Sequence, residues 1–251
     1  MSVYWCGYNL KVFSTVLFGF TQEWTRCTSQ HADILVFGAH GPCRCNPENF
    51  RGRILSVNGE DRAPAKYTRR TMQIGAGGIN FPYGAVEWIN RNMTQYEGPI
   101  TQYAIAYANS NCVKSREDMV MKLAEHFSVH AFGACTGHGK AKQLRNRNHW
   151  TSNSMRFQGY AMVIAAEHGK TPGYVTEKPF VAASSGAIPI YEGDSNTLYR
   201  FMNPDRIIIW NSSAIQTVRN HVRSPLRRLQ AVNNTYLRMK ANEVKTQLMQ
   251  Y

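Results

Sequence analysis

Tyr103-Ala-Ile-Ala-Tyr-Ala108, Ser115-Arg-Glu-Asp-Met-Val-Met-Lys-Leu-Ala124 and Val129-His-Ala-Phe-Gly-Ala134 follow one another along the chain, and their reading decides the fold class. The first run is short, apolar and uncharged, as a buried strand is. Ser115 can cap a helix, with Asp118 three residues on in the capping-box position. Val120, Leu123, Ala124 and Phe127 then recur at helical spacing. The third run reads as another strand. A helix between two strands, in place of a tight turn, is the unit of a parallel sheet with helical cover. An α/β fold is predicted.

The same alternation continues downstream. Ala161-Met-Val-Ile-Ala-Ala166 reads as a buried strand, and a glycine-bearing loop follows over residues 168–173. A helix is predicted from Thr176, an N-cap residue, to residue 185, with Gly186 just past its C-terminus. Ala187-Ile-Pro-Ile-Tyr191 is the next strand and residues 207–210 a shorter one. The polar, basic stretch over residues 140–153 reads as loop or short helices. Upstream, Asp33-Ile-Leu-Val-Phe37 and Arg53-Ile-Leu-Ser-Val57 are strand-like by length and β-branched content. A helix is expected over residues 83–92. Glu97-Gly-Pro99 is a break signal and marks a domain boundary. The expected division is an N-terminal domain over residues 1–98, a second domain over 99–218 and a basic tail over 219–251. In the tail, Ser224 and Pro225 form a helix start.

With 29 Lys and Arg against 16 Asp and Glu, the net charge is +13. A surface of that sign attracts polyanions, phosphorylated substrates or acidic membrane. The tail holds seven basic residues and one acid, Glu243, and so supplies +6 of the total. It reads as a helix docked on the domains with a solvated basic face, or as a contact to an acidic membrane surface. Nucleic acid is not expected as a partner, because no recognisable module is present and aromatics do not interleave with the basic run. Of the six cysteines, Cys43 and Cys45 are one residue apart, and no second pair completes a zinc site. Disulfides are open among the six, but the count is too low for a stapled secreted scaffold. The apolar run over residues 12–20 is too short to span a bilayer and lacks a cleavage pattern.

In open parallel sheets ligands bind beyond the carboxyl ends of strands. Two such ends carry polar residues. One leads through Asn109-Ser-Asn-Cys112 to Arg116, and the other through Glu167 to Tyr174-Val-Thr-Glu-Lys178. Helix starts favour anions, and Arg116 and Lys178 add full charges there, so a diphosphate suits the region. The same two side chains could equally be solvated. Walker-type and Gly-x-Gly-x-x-Gly sequences are absent, which disfavours triphosphate hydrolysis and dinucleotide redox. Asp-x-Asp is absent too, which disfavours a carboxylate-held metal on the diphosphate.

Several linked motifs carry a family resemblance. They are Ala106-Tyr-Ala-Asn-Ser-Asn-Cys112, Arg116-Glu117, Val129-His-Ala-Phe-Gly-Ala-Cys135, Ala166-Glu167-His168, Gly173-Tyr-Val-Thr-Glu-Lys178, Gly186-Ala-Ile-Pro-Ile-Tyr191 and Phe201-Met-Asn-Pro204. In order and spacing this set resembles the α-1,3-fucosyltransferase family. The resemblance implies a GT-B architecture, two Rossmann-like domains facing a cleft, with the basic C-terminal helix packed back across them. It implies GDP-fucose as donor, with no cofactor and no obligatory bound metal. Arg116 and Lys178 would face the diphosphate, and Glu167, Tyr174 and Glu177 the nucleoside or fucose. Thr176 would cap its helix and touch phosphate. Ser110, Asn111, His168 and Val175 complete the expected donor site. Val57-Asn-Gly-Glu-Asp61 is similar to the family's strand–Gly–Glu segment, which makes Glu60 the candidate general base. The family's Glu-Asn is here Glu167-His168.

The expected function is inverting transfer of fucose to a hydroxyl of a glycan or glycoconjugate. The alternatives are a transferase for another GDP-sugar and an inactive homologue that binds glycans or polyanions. The short N-terminus lacks the anchor and stem of secretory relatives, so a cytoplasmic, soluble or membrane-peripheral location is expected.

Overall fold

The computed structural model describes residues 3–6, 34–38, 50–58, 71–75, 96–144 and 152–223. The chain forms two compact units. One takes Met1–Asn92, Gly169–Thr176 and Met239–Tyr251; the other takes Met93–His168 and Glu177–Arg238. The expected helix over residues 83–92, the apolar run 12–20, the tail beyond residue 223 and Glu60 lie outside the described residues.

The first unit holds a parallel sheet of four described strands in sequential order, β1 (Val3–Cys6), β2 (Ile34–Gly38), β3 (Arg53–Asn58) and β4 (Thr71–Gly75). β2 and β3 are the two apolar runs read from the sequence. Leu35 and Ile54 are cross-strand partners and both are buried. β1 and β4 are additional strands. Thr71-Met-Gln-Ile-Gly75 mixes polar and apolar residues and is claimed for the sheet by its pairing with β3.

The second unit is built on six parallel strands: β5 (Gln102–Tyr107), β6 (Val129–Ala131), β7 (Lys142–Gln143), β8 (Tyr160–Ala166), β9 (Ile188–Glu192) and β10 (Ile208–Ile209). Their order is β10-β9-β8-β5-β6-β7. The chain runs outward from β5 to one edge, returns to the centre as β8 and runs outward to the other edge. Every residue of β8 is buried, which is why Tyr160-Ala-Met-Val-Ile-Ala-Ala166 is apolar throughout instead of alternating.

The two faces of this sheet differ in side-chain size. On one, Ile105, Tyr107, Met162, Ile164 and Ile188 pack with Met119, Val120 and Leu123 of helix α1 (Lys114–Ala124) and with Ala214 and Val218 of α5 (Ala214–Arg223). On the other, Ala104 and Ala106 lie with Val163 against Phe157, which follows α2 (Asn153–Arg156), and against Val181 and Ala182 of α3 (Lys178–Ser184). Helix α4 (Ser195–Phe201) is capped by Asp194, whose carboxylate accepts from the Thr197 N–H at 3.2 Å.

Two expected boundaries between β5 and β6 move. Helix α1 begins at Lys114 with Val113 at the N-cap and no side-chain cap, so Ser115 lies inside the first turn. The chain entering it is fixed beforehand: the Val113 N–H donates to the Asn111 carbonyl at 3.0 Å, and Cys112 is covalently held. β6 stops at Ala131 instead of residue 134. Gly133 sits so close to the Asn109 carbonyl that a Cβ there would collide with it. Helix α5 is an addition to the expected elements; the helix start expected at Ser224 and Pro225 lies outside the described residues.

Candidate functional site

β5 and β8 are neighbours in the sheet although β6 and β7 lie between them in sequence, so their carboxyl ends form the topological switch point. This is where an open parallel sheet leaves a crevice for ligands. β5 leads into Ala108-Asn-Ser-Asn-Cys112, and β8 into Glu167 and His168.

Arg116, in the first turn of α1, is 3% exposed. Its Nε donates to the Glu167 carbonyl at 3.0 Å. Its Nη1 donates to Asn109 Oδ1 at 3.3 Å and to the Asn111 carbonyl at 3.4 Å. The guanidinium thus ties the exits of β5 and β8 together, with one orientation enforced by its rigid fork. On β8's side, Glu167 has a fully buried carboxylate whose Oε2 accepts from Lys178 Nζ at 3.1 Å. Two cations therefore flank one buried acid at the switch point.

Glu117, the next residue on α1, faces the other way. Its Oε1 accepts from the Tyr107 hydroxyl at 3.1 Å. Its Oε2 accepts backbone N–H groups of Thr136 at 3.1 Å, Gly137 at 2.7 Å and His138 at 3.4 Å. Gly137, His138 and Gly139 have φ of 61°, 53° and 83°, so the chain curls into a cradle of amides that an anion fills. Here the anion is the protein's own. Burial, and then the charge of Glu117, push the Tyr107 hydroxyl far above its ordinary range, so it stays a donor. His138 adopts its left-handed backbone with its ring paired to Asp118, Nε2 to Oδ1 at 3.0 Å.

Cys112 and Cys135 are disulfide-bonded, with Cα atoms 5.1 Å apart. The bond joins the loop after β5 to the segment that enters the Glu117 cradle. It links residues 23 positions apart, and closing a loop of that size stabilises the fold by roughly 3 kcal/mol. Replacing both cysteines by serine is expected to lower the unfolding free energy by about that amount in denaturant titration. Reductant should lower the midpoint of the parent protein at least as far.

A pocket opens on the alanine-rich face between β5, β8, α2 and α3. Ala108, Phe157, Val163 and Val181 supply apolar walls, and Asn153, Glu177 and Lys178 supply polar groups. It adjoins the switch point through Lys178.

The family model for glycosyltransferase family 10 (fucosyltransferase), C-terminal part, matches residues 100–242, more than half of the chain and the whole of this site. The chain belongs to glycosyltransferase family 10. It is 26% identical over 228 residues to the α-(1,4)-fucosyltransferase of Arabidopsis thaliana, covering 81% of this chain and 55% of that protein. Over 108 residues it is 30% identical to α-(1,3)-fucosyltransferase B of Drosophila melanogaster, covering 38% of this chain and 22% of that one. The chain thus spans little more than half the length of the first of these relatives and about a fifth of the second. A crystal structure of an α1,3-fucosyltransferase with GDP-fucose superposes with a TM-score of 0.64 at 16% identity, covering 99% of this chain and 88% of that one. At that identity the likeness speaks for the fold.

Among the residues expected from the family motifs, Arg116, Glu167 and Lys178 are brought into direct contact. Asn111 joins them through its carbonyl. Ser110 and His168 are exposed on the loops after β5 and β8, and Glu177 lines the pocket. Tyr174, Val175 and Thr176 are buried and belong to the first unit. Thr176 does not cap α3. That helix starts at Lys178 with Glu177 at its N-cap and Pro179 in its first turn, where the missing N–H of proline costs nothing. Glu117 was not singled out from sequence. The doubled glycine around His138 was the available sign that the chain curls there. Among the described residues no helix is long and apolar enough to cross a membrane.

Proposed function

We propose that this family 10 chain transfers fucose from GDP-fucose to a hydroxyl of a glycan or glycoconjugate, with inversion and without an obligatory bound metal. The observation that carries the reading is the convergence of Arg116 and Lys178 on Glu167 at the switch point of the second sheet. In this reading the two cations stabilise the charge that grows on the diphosphate as its bond to the anomeric carbon breaks. The cage around Arg116 holds it in position beforehand, so little reorganisation accompanies the reaction. Glu167, Glu177 and Tyr174 bind nucleoside and sugar hydroxyls, with Ser110, Asn111, His168, Val175 and Thr176 around them. Glu60 in the first unit takes the proton from the acceptor hydroxyl as its oxygen attacks the anomeric carbon. The electron pair of the broken bond leaves with GDP.

The basic tail is read as a docked helix that can also touch an acidic membrane surface. The location read from the sequence was cytoplasmic. A disulfide between two loops of the site favours an oxidising compartment instead.

Calorimetry with GDP, GDP-fucose and other sugar nucleotides tests the donor. GDP and GDP-fucose are expected to bind, and turnover is expected to persist in EDTA. Lys178→Met should weaken GDP roughly tenfold to a hundredfold, the worth of one charge-assisted hydrogen bond. Absence of binding by every guanine nucleotide would overturn the proposal, and preference for another GDP-sugar would replace fucose.

A further inference from the structure

Asn211-Ser-Ser213 joins the edge strand β10 to helix α5, and all three residues are exposed. Asn-x-Ser with a residue other than proline in the middle is the acceptor sequence for an N-linked glycan. Further sequons stand at Asn92 and Asn233, outside the described residues. Such tripeptides are common by chance, and two structural facts single this one out. The first is how the Asn211 carboxamide is used. Its Oδ1 accepts from the Ser213 N–H at 2.9 Å and from the Ser213 hydroxyl at 2.8 Å. The Asn211 carbonyl accepts from the Ala214 N–H at 3.1 Å, where α5 begins. Both side-chain bonds fall on the oxygen, and Nδ2 makes no hydrogen bond among the described residues. An N-linked glycan is carried on Nδ2 and leaves Oδ1 an acceptor, so the turn into α5 keeps every one of its bonds. The second fact is the Cys112–Cys135 disulfide. Such bonds form and persist in oxidising compartments, the lumen of the endoplasmic reticulum among them.

We propose that Asn211 is an N-glycosylation site, which takes an oligosaccharide from a lipid diphosphate donor through a lumenal oligosaccharyltransferase. In that step Nδ2 loses one proton and bonds to the anomeric carbon of the first sugar. The bond from that carbon to the diphosphate oxygen breaks, and the lipid diphosphate leaves with the electron pair. Nothing is oxidised or reduced. The proposal is independent of the transferase activity, because here the chain is the acceptor of sugar and not its carrier. A glycan is bulky and solubilising and belongs on a surface. Residue 211 meets that condition without rearrangement. Trp210 before it is tied to β9 by its N–H, which donates to the Tyr191 carbonyl at 2.7 Å, and Ala214 after it is buried. The attachment point is therefore an exposed turn on a fixed base.

The full chain is produced in human cells behind a cleavable secretion signal, and the secreted protein is mapped peptide by peptide in a mass spectrometer. Mapping is repeated after peptide:N-glycosidase treatment in heavy-oxygen water, which turns a glycan-bearing asparagine into labelled aspartate. Labelled aspartate is expected at residue 211 in most copies. The peptides holding Asn92 and Asn233 are read separately, so sugar on either does not count for Asn211. Ser213→Ala keeps Asn211 and destroys the sequon, and is expected to abolish the label at 211. Ser213→Thr preserves the sequon and is expected to retain it. Unmodified asparagine at residue 211 throughout the secreted wild-type protein overturns the proposal, and so does a label at 211 that survives Ser213→Ala. The same map, made without reductant, shows whether Cys112 and Cys135 are joined. Free thiols at both would remove the observation that places the chain in an oxidising lumen, and would overturn the proposal too.

Discussion

Glu60→Gln is expected to lower the turnover of fucosyl transfer by about 10² to 10⁴-fold, the usual worth of a positioned general base, while leaving GDP affinity unchanged. Glu60 stands two residues past the carboxyl end of β3, an interior strand of the first unit's parallel sheet. Strand ends of that kind carry the reactive groups of open α/β sheets. Glutamine keeps the size and polarity of the side chain and removes only its capacity to take a proton. The loss should therefore fall on turnover, with the donor's dissociation constant as an internal control. Slow hydrolysis of GDP-fucose in the absence of acceptor should also survive, because the proton of an attacking water can pass to bulk solvent. A variant as active as the parent would remove Glu60 from the mechanism. Loss of GDP binding together with activity would mean that the residue supports the fold.

The largest effect on stability is expected at Glu117. Glu117→Ala strips acceptors from three backbone N–H groups and from the Tyr107 hydroxyl. Leaving buried donors unpaired costs roughly 1 to 3 kcal/mol each, with partial recovery where the loop can relax toward water. His138 is exposed and can recover its bond, whereas Gly137 and Tyr107 are buried. A net loss of about 3 to 5 kcal/mol is expected, read from the denaturant midpoint. Glu117 and the disulfide hold opposite ends of one segment, Cys135 to His138, so their effects should be coupled. In a double-mutant cycle with Cys112→Ser/Cys135→Ser, the combined loss should fall short of the sum. Strict additivity would mean that the two restraints act on independent parts of the loop.

The strands of the second unit were the most legible part of the fold. β5, β8 and β9 are interior strands covered on both faces, and such strands are written as unbroken apolar runs. β7 was not read, because Lys142 and Gln143 lie exposed at the sheet edge, where no core demands apolar side chains. Helix starts were misplaced by one or two residues for a common reason. Ser115 and Thr176 have the chemistry of caps, but neighbouring restraints, the disulfide at Cys112 and the ring of Pro179, set where the helices begin. Arg116, Glu167 and Lys178 were found because they sit in linked motifs. Glu117 escaped because three of its four partners are backbone amides, which any residue type could supply.

The seam between β5 and β8 joins Ile105 to Met162 and Ala106 to Val163. On the ribosome, the loop carrying Asn109 and Asn111 and the helix turn carrying Arg116 emerge well before Glu167 exists to receive them. An arrested chain ending before β8 would hold the first cation of the site with Asn109 and Asn111, but without the Glu167 carbonyl that receives its Nε. Assembly of the site is therefore a late, long-range event, slower than the local helix-to-strand contacts that precede it. The nascent protein passes through an interval in which β5 and β6 are made but the central neighbour of β5 is missing. That open edge is the surface a chaperone would need to shield, and it closes only when β8 inserts beside it.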